Sequence, residues 1–167
     1  LIRVYLCGPI EYSKDHGVNW RKEATKIAES LGQAIEVLNP IEFNRVLDEE
    51  NAEISKKKDW HDPNYRKYMG KIINRDMSSA QACDVTLVKW ESDHVSAGTV
   101  SEMTGAFRAG KPVVVVKDKK LKISKIPGWA LGCVTEFHET LEEAFFSINS
   151  GELWKIPEEE KPLALKP

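Results

Sequence analysis

Cysteine is scarce in this chain: Cys7, Cys83 and Cys133 are the three in 167 residues, an odd number set among apolar or small neighbours. That argues against a disulfide framework or a thiolate metal site and reads as reduced core thiols of a cytoplasmic protein. Cys7 as a nucleophile lacks a histidine with an orienting partner. His16, His61, His94 and His138 are scattered without ligand spacing, so no metal is expected. An excess of basic charge is also missing. The 24 Lys and Arg against 26 Asp and Glu give a net charge of −2, with no basic stripe interleaved with aromatics, so nucleic acid is not an expected partner. No apolar run approaches the roughly 20 residues of a membrane span, and no membrane partner is expected. The segment Leu1-Ile-Arg-Val-Tyr-Leu-Cys7 has no basic region followed by a long apolar core and cleavage site, and reads as a strand rather than a signal peptide. A G-x-G-x-x-G dinucleotide fingerprint is absent, and no cofactor is expected. Internal repeats and low-complexity tracts are lacking as well.

What remains is an alternation of strands and helices, in a chain long enough for one domain with a real core. Arg3 to Cys7 alternates and ends at the turn signal Gly8-Pro9. Trp20, Ala24, Ile27, Ala28 and Leu31 recur at helical spacing before Gly32. Ala34 to Leu38 is a short strand stopped by Asn39-Pro40. Residues 41–61, with Glu49-Glu50 and Lys56-Lys57-Lys58, read as a solvated, mobile excursion. Asp62-Pro63 opens a helix as cap and first residue, with Tyr65, Met69, Ile72, Ile73, Met77 and Ala80 on its expected apolar face. Asp84 to Trp90 is the next strand. A strand near Cys133 to Phe137 and a helix from Leu141 to Ile148 close a domain over residues 1–150. Residues 151–167 are expected to be an extended tail.

The segment from Ser96 to Val116 carries most of the chemistry. Gly98 and Thr99 open a helix, Gly110 closes it in a left-handed cap, and Pro112 blocks its continuation. Val113 to Val116 is the continuous apolar run of a strand covered on both faces. Glu102 is thereby expected in the first turn of the helix, where the dipole and free amides favour its ionised form. Two readings stand side by side: a nucleophile, or a carboxylate that merely complements the dipole.

Strands alternating with helices predict a single doubly wound parallel sheet of Rossmann or flavodoxin-like type, α/β, with helices on both faces. Right-handed crossovers put every strand's C-terminal end on one edge, where ligands bind in such sheets. Cys7-Gly8-Pro9, Asn39-Pro40 and Trp90 to Gly98 gather there.

The chain at this point resembles the nucleoside 2-deoxyribosyltransferase family, which includes the related nucleoside 5′-monophosphate N-glycosidases. The resemblance lies in Val4-Tyr5-Leu6-Cys7-Gly8-Pro9-Ile10, in Asn74-Arg75-Asp76-Met77 followed by Ala82-Cys83-Asp84-Val85, and in Gly98-Thr99 through Glu102 to Gly110-Lys111-Pro112. It implies that Glu102 is the nucleophile at C1′, Asp76 a second carboxylate near the sugar or leaving base, and Tyr5 the hydroxyl that orients the nucleophile. Read from the residues alone, Tyr5 suits a core position and Asp76 a solvated one. Gly8, Pro9, Ile10, Ser96, Gly98 and Thr99 would line the substrate. The resemblance also implies a homo-oligomer whose neighbouring chain completes the pocket, with the loop Ile126-Pro-Gly-Trp-Ala130 as the candidate contributor.

One departure bears on the substrate. Where the free-nucleoside transferases commonly carry Asp, six positions before the nucleophile, this chain has Ser96, as the monophosphate hydrolases commonly do. A hydroxyl beside helix amides suits a 5′-phosphate. Against this, Glu11 stands where those enzymes often place Arg, leaving Lys14 or Arg21 to compensate; Asp93 is the alternative replacement for the missing carboxylate. The expected function is N-glycosidic cleavage of nucleosides or their monophosphates, to water or to another base, with the monophosphate hydrolase slightly favoured. An NAD-type glycohydrolase and a non-catalytic nucleotide-binding module are the competing classes.

Overall fold

The structure, a computed structural model, describes residues 1–11, 13–91 and 96–155. Asp93, His94 and the tail from residue 156 lie outside the described residues. In chain order the elements are β1 (Ile2–Cys7), α1 (Val18–Ser30), β2 (Ile35–Leu38), α2 (Pro40–Glu50), α3 (Ala52–Lys57), α4 (Pro63–Ala82), β3 (Val85–Trp90), α5 (Ala97–Arg108), β4 (Val113–Lys117), α6 (Gly128–Leu131), β5 (Glu136–His138) and α7 (Leu141–Ser150).

The five strands pair in parallel in the order β2-β1-β3-β4-β5. This is the flavodoxin-like order, and its direction reverses between β1 and β3. The register Tyr5↔Thr86 and Cys7↔Val88 sets the central pair. Alternation along β1 then divides the core. Val4 and Leu6 face α1 and α7 with Trp20, Ala24, Phe145 and Ile148. Tyr5 and Cys7 face the other layer, with Ala80 of α4 and Met103 and Ala106 of α5. The predicted doubly wound sheet is therefore present, with helices on both faces.

Local chemistry explains the helix ends. Asn39 caps α2, its side chain accepting from the Ile41 N–H at 3.2 Å, with Pro40 at the first position. Asp62 and Pro63 do the same for α4. At the end of α5, Gly110 sits at φ 68° while its N–H donates to Phe107 O and the Lys111 N–H to Ala106 O, a Schellman closure.

Four expectations need correction. Residues 41–61 are not a structureless excursion: they form α2 and α3, and although mostly exposed they bury Asn44. The buried face of α4 runs through Tyr68, Asp76 and Ala80, and leaves Ile73 54% exposed, because α4 turns its polar Asp76 inward beside the sheet. Helix α5 begins at Ala97 with Ser96 as cap, so Glu102 is in the second turn, past the free amides. Residues 152–154 form a 3-10 turn with Leu153 in the core, rather than extended tail.

Candidate active site

A close approach between α5 and α4 shapes the site. At Gly105 of α5 a Cβ would lie 2.7 Å from Cε of Met77, the flexible end of the side chain one residue beyond Asp76 on α4. The two helices are thus drawn together over β1. Under them Tyr5 and Cys7 are fully buried, Asp76 is buried, and Glu102 is partly buried. The sheet edge at the β1–β3 switch point is where a ligand crevice is expected, and the structure brings Glu102, Asp76 and Tyr5, the three predicted catalytic residues, into one electrostatically coupled cluster.

Burial dominates the electrostatics. It raises the Glu102 carboxyl to about 7; Asp76 adds to the rise, while Cys7, Arg21 and Tyr5 oppose it. The expectation that the helix dipole would favour the ionised form is overturned, since desolvation of a carboxylate outweighs a dipole end more than a turn away. Burial also raises Asp76, against the pull of its hydrogen bond from Asn44 and the nearby Arg75 charge. Tyr5 is pushed far above its usual range by burial and by Glu102 and Asp76, so its hydroxyl stays a neutral donor. Its Oη makes no hydrogen bond of good geometry among the described residues and lies near Glu102, whose charged form it favours. The Cys7 thiol, also raised by burial and then by Glu102, is a protonated donor that reaches Thr99 O at 3.6 Å.

Arg21 is the buried cation of this neighbourhood. Its Nη1 donates to Gly17 O at 3.0 Å and Nη2 to Gly8 O at 2.9 Å, so it ties together both ends of the loop after β1. Gly17, at φ 69°, leaves no room for a Cβ against Arg21 Nη1 and Pro9 O. A Cβ on Gly8 would meet Trp20 at 3.0 Å and Lys89 O at 3.1 Å. Gly8 and Pro9 are buried, while Ile10 is exposed at the rim. Arg21 therefore spends its Nη groups on the backbone rather than projecting into the crevice, and Lys14 is exposed. Glu11 is ion-paired with Lys58 at the end of α3.

Ser96, Gly98 and Thr99 form the start of α5. The Ser96 Oγ accepts from the Thr99 N–H at 3.3 Å, Gly98 is exposed, and Thr99 is buried with Oγ1 unpartnered among the described residues.

Sequence reasoning passed over Asn44, whose Nδ2 donates to Asp76 Oδ1 at 2.8 Å. The signal was present: Asn39-Pro40 is a cap followed by proline at the first helical position, the start of a helix as much as the end of a strand. Among the described residues no group of three His, Cys, Asp or Glu could hold a metal ion, and no helix is long and apolar enough to cross a membrane.

Comparison with known proteins bears on the fold and the family. The chain superposes on a 2-deoxyribosyltransferase from Bacillus psychrosaccharolyticus with a TM-score of 0.60 at 15% identity, covering 85% of this chain and 89% of that one. A conserved protein from Enterococcus faecalis V583 superposes with a TM-score of 0.63 at 17% identity, over 90% and 99% of the two chains. The CMP N-glycosidase BcmB of Clostridium botulinum gives a TM-score of 0.48 at 18% identity, over 89% and 98%. No curated protein matches the sequence. At these identities the first two superpositions establish the fold. The sequence profile described as Nucleoside 2-deoxyribosyltransferase matches residues 4–149, nearly the whole described chain, and the protein belongs to that family.

Proposed function

We propose that this protein cleaves the N-glycosidic bond of a nucleoside or nucleoside 5′-monophosphate, with Glu102 as nucleophile, Asp76 as proton donor and acceptor, and Tyr5 as the hydroxyl that orients Glu102. The observation that carries this reading is the pair of carboxyl groups with raised pKa beside a neutral buried phenol, at the ligand edge of the sheet. Two such groups in one poorly solvated site favour holding one proton between them. That proton rests mainly on Glu102, the more strongly raised of the two, and the reactive state is the one in which it sits on Asp76 and leaves Glu102 ionised.

A Glu102 oxygen forms a bond to C1′ as the C1′–N bond breaks through an oxocarbenium-like state. The bond's electron pair leaves on the base nitrogen, and the base takes the proton of Asp76. Water, or a second base, then attacks C1′, returns a proton to Asp76 and frees Glu102. Water gives hydrolysis and a base gives transfer. Incubation with deoxynucleosides and their monophosphates, with and without an acceptor base, separates the two: free base without acceptor marks the hydrolase, and a new nucleoside marks the transferase. Failure to release base from any of them would overturn the proposal.

Ser96 supports the monophosphate as the slightly favoured substrate. Its Oγ uses one lone pair on the Thr99 N–H, leaving its proton for a phosphate oxygen at the start of α5. The substitution Ser96→Asp tests this cleanly, because Asp caps a helix as well as Ser does. The variant is expected to keep its thermal stability and to lose about tenfold or more in kcat/KM on monophosphates through like-charge repulsion, with nucleosides spared. Equal effects on both substrates would remove the phosphate from the account.

A further inference from the structure

Asn44 lies on α2, 32 residues before Asp76 in sequence, and is 5% exposed. Its amide orientation is set from both sides. Nδ2 meets Asp76 Oδ1 at 2.8 Å, and Oδ1 faces Arg75 Nη1 at 3.5 Å. A guanidinium only donates, so the opposite amide orientation would put two donors against each other. Arg75 is itself fixed by donating to Phe43 O at 2.7 Å, on the residue before Asn44. The chain of contacts thus runs from the backbone of α2 through Arg75 and Asn44 to Asp76.

From this geometry we infer that Asn44 is a positioning residue that holds Asp76 Oδ1 as an acceptor and so reserves Oδ2 as the atom that carries and delivers the proton to the leaving base. The inference rests on the catalytic reading above. An amide NH₂ has no lone pair to accept from a carboxylic acid, so a proton on Oδ1 would collide with Asn44 while one on Oδ2 would not. Asn44 also holds the Asp76 side chain in one rotamer, which matters because proton transfer needs heavy atoms within hydrogen-bond reach. No proton passes through Asn44 itself.

The test compares two deoxynucleosides in the full-length protein. One carries an ordinary purine, which must be protonated to leave. The other carries a 7-methylpurine, already cationic, which leaves as a neutral base without a proton. Asn44→Leu conserves volume and cannot donate. It is expected to lose roughly 10- to 100-fold in kcat on the ordinary purine, the scale of a misplaced catalytic group, and at most a few-fold on the 7-methylpurine. Arg75→Met, at an exposed side chain that leaves Asn44 in place but unanchored, should show the same split in weaker form and covers the case in which Asn44→Leu does not fold. Equal losses on both substrates would make Asn44 a structural residue and overturn the inference while leaving Glu102 catalysis intact. Wild-type protein that releases base from neither of these nor from any other deoxynucleoside or deoxynucleoside monophosphate would overturn the catalytic reading, and the role of Asn44 with it; if it accepts only the monophosphates, the same pair is compared as monophosphates.

Discussion

Glu102→Gln is expected to lower turnover by at least about 10³-fold while making the protein more stable above neutral pH. The amide is nearly isosteric, so its place beside Cys7 and Tyr5 is kept, but it cannot capture C1′. The gain in stability follows from the raised carboxyl. Folding lifts Glu102 from 4.5 to about 7, so between those values the folded state holds a proton that the unfolded state has released. Stability is fully present below pH 4.5, falls as pH rises through that window, and stays low above about 7. A neutral Gln escapes that loss, which is of order 1 to 3 kcal/mol. Thermal melts of both proteins across pH 4 to 9 check the difference, which should be small at the acid end and full at the alkaline end. The same titration shapes the rate: the pair must keep its one proton for the leaving base, so kcat/KM on an unactivated base should fall as pH rises through about 7 in the free protein. A Glu102→Gln variant with near wild-type base release would remove Glu102 from the chemistry.

Asp76→Asn is expected to cost about 10²- to 10³-fold in kcat on nucleosides with an unactivated base, the usual contribution of a positioned proton donor. The fold should survive, because the Asn side chain retains an oxygen to accept from Asn44 Nδ2, where the present bond is 2.8 Å. On a 7-methylpurine nucleoside the loss should shrink to a few-fold, since that base leaves without a proton. If both substrates lose equally, or turnover is unchanged while stability falls, Asp76 serves the fold alone.

The parts of this molecule that were legible in the sequence are those where local chemistry and burial point the same way. Val113 to Val116 reads as a covered strand because all four side chains are buried between two helical layers. Gly110-Lys-Pro112 reads as a helix stop because the Schellman closure needs that positive φ. Glu102 was a candidate from its helix at the sheet edge, while Asp76 and Tyr5 were reached through the family resemblance, since their own patterns admit ordinary structural roles. What stayed hidden depended on contacts distant in the chain. Asn44 sits in a helix where half of the other residues are exposed and charged, and only the approach of α4 makes it a buried partner of Asp76. The inward turn of Asp76 displaced the predicted apolar face of α4, for a polar residue turned toward the sheet breaks the period that a sequence reader counts. The protonation of Glu102 was misjudged for a related reason. The dipole is written in the local sequence, whereas desolvation comes from β1 and α4 closing over the carboxyl.

The central claim is covalent capture of the sugar by Glu102, and the most direct measurement is mass spectrometry of protein quenched in acid during turnover of a deoxynucleoside or its monophosphate without acceptor base. The account predicts a mass increase equal to the deoxyribosyl group, or to its 5′-phosphate, on the peptide containing Glu102, and none in Glu102→Gln. Steady release of base with no adduct on Glu102, or with the adduct on another residue, would contradict it.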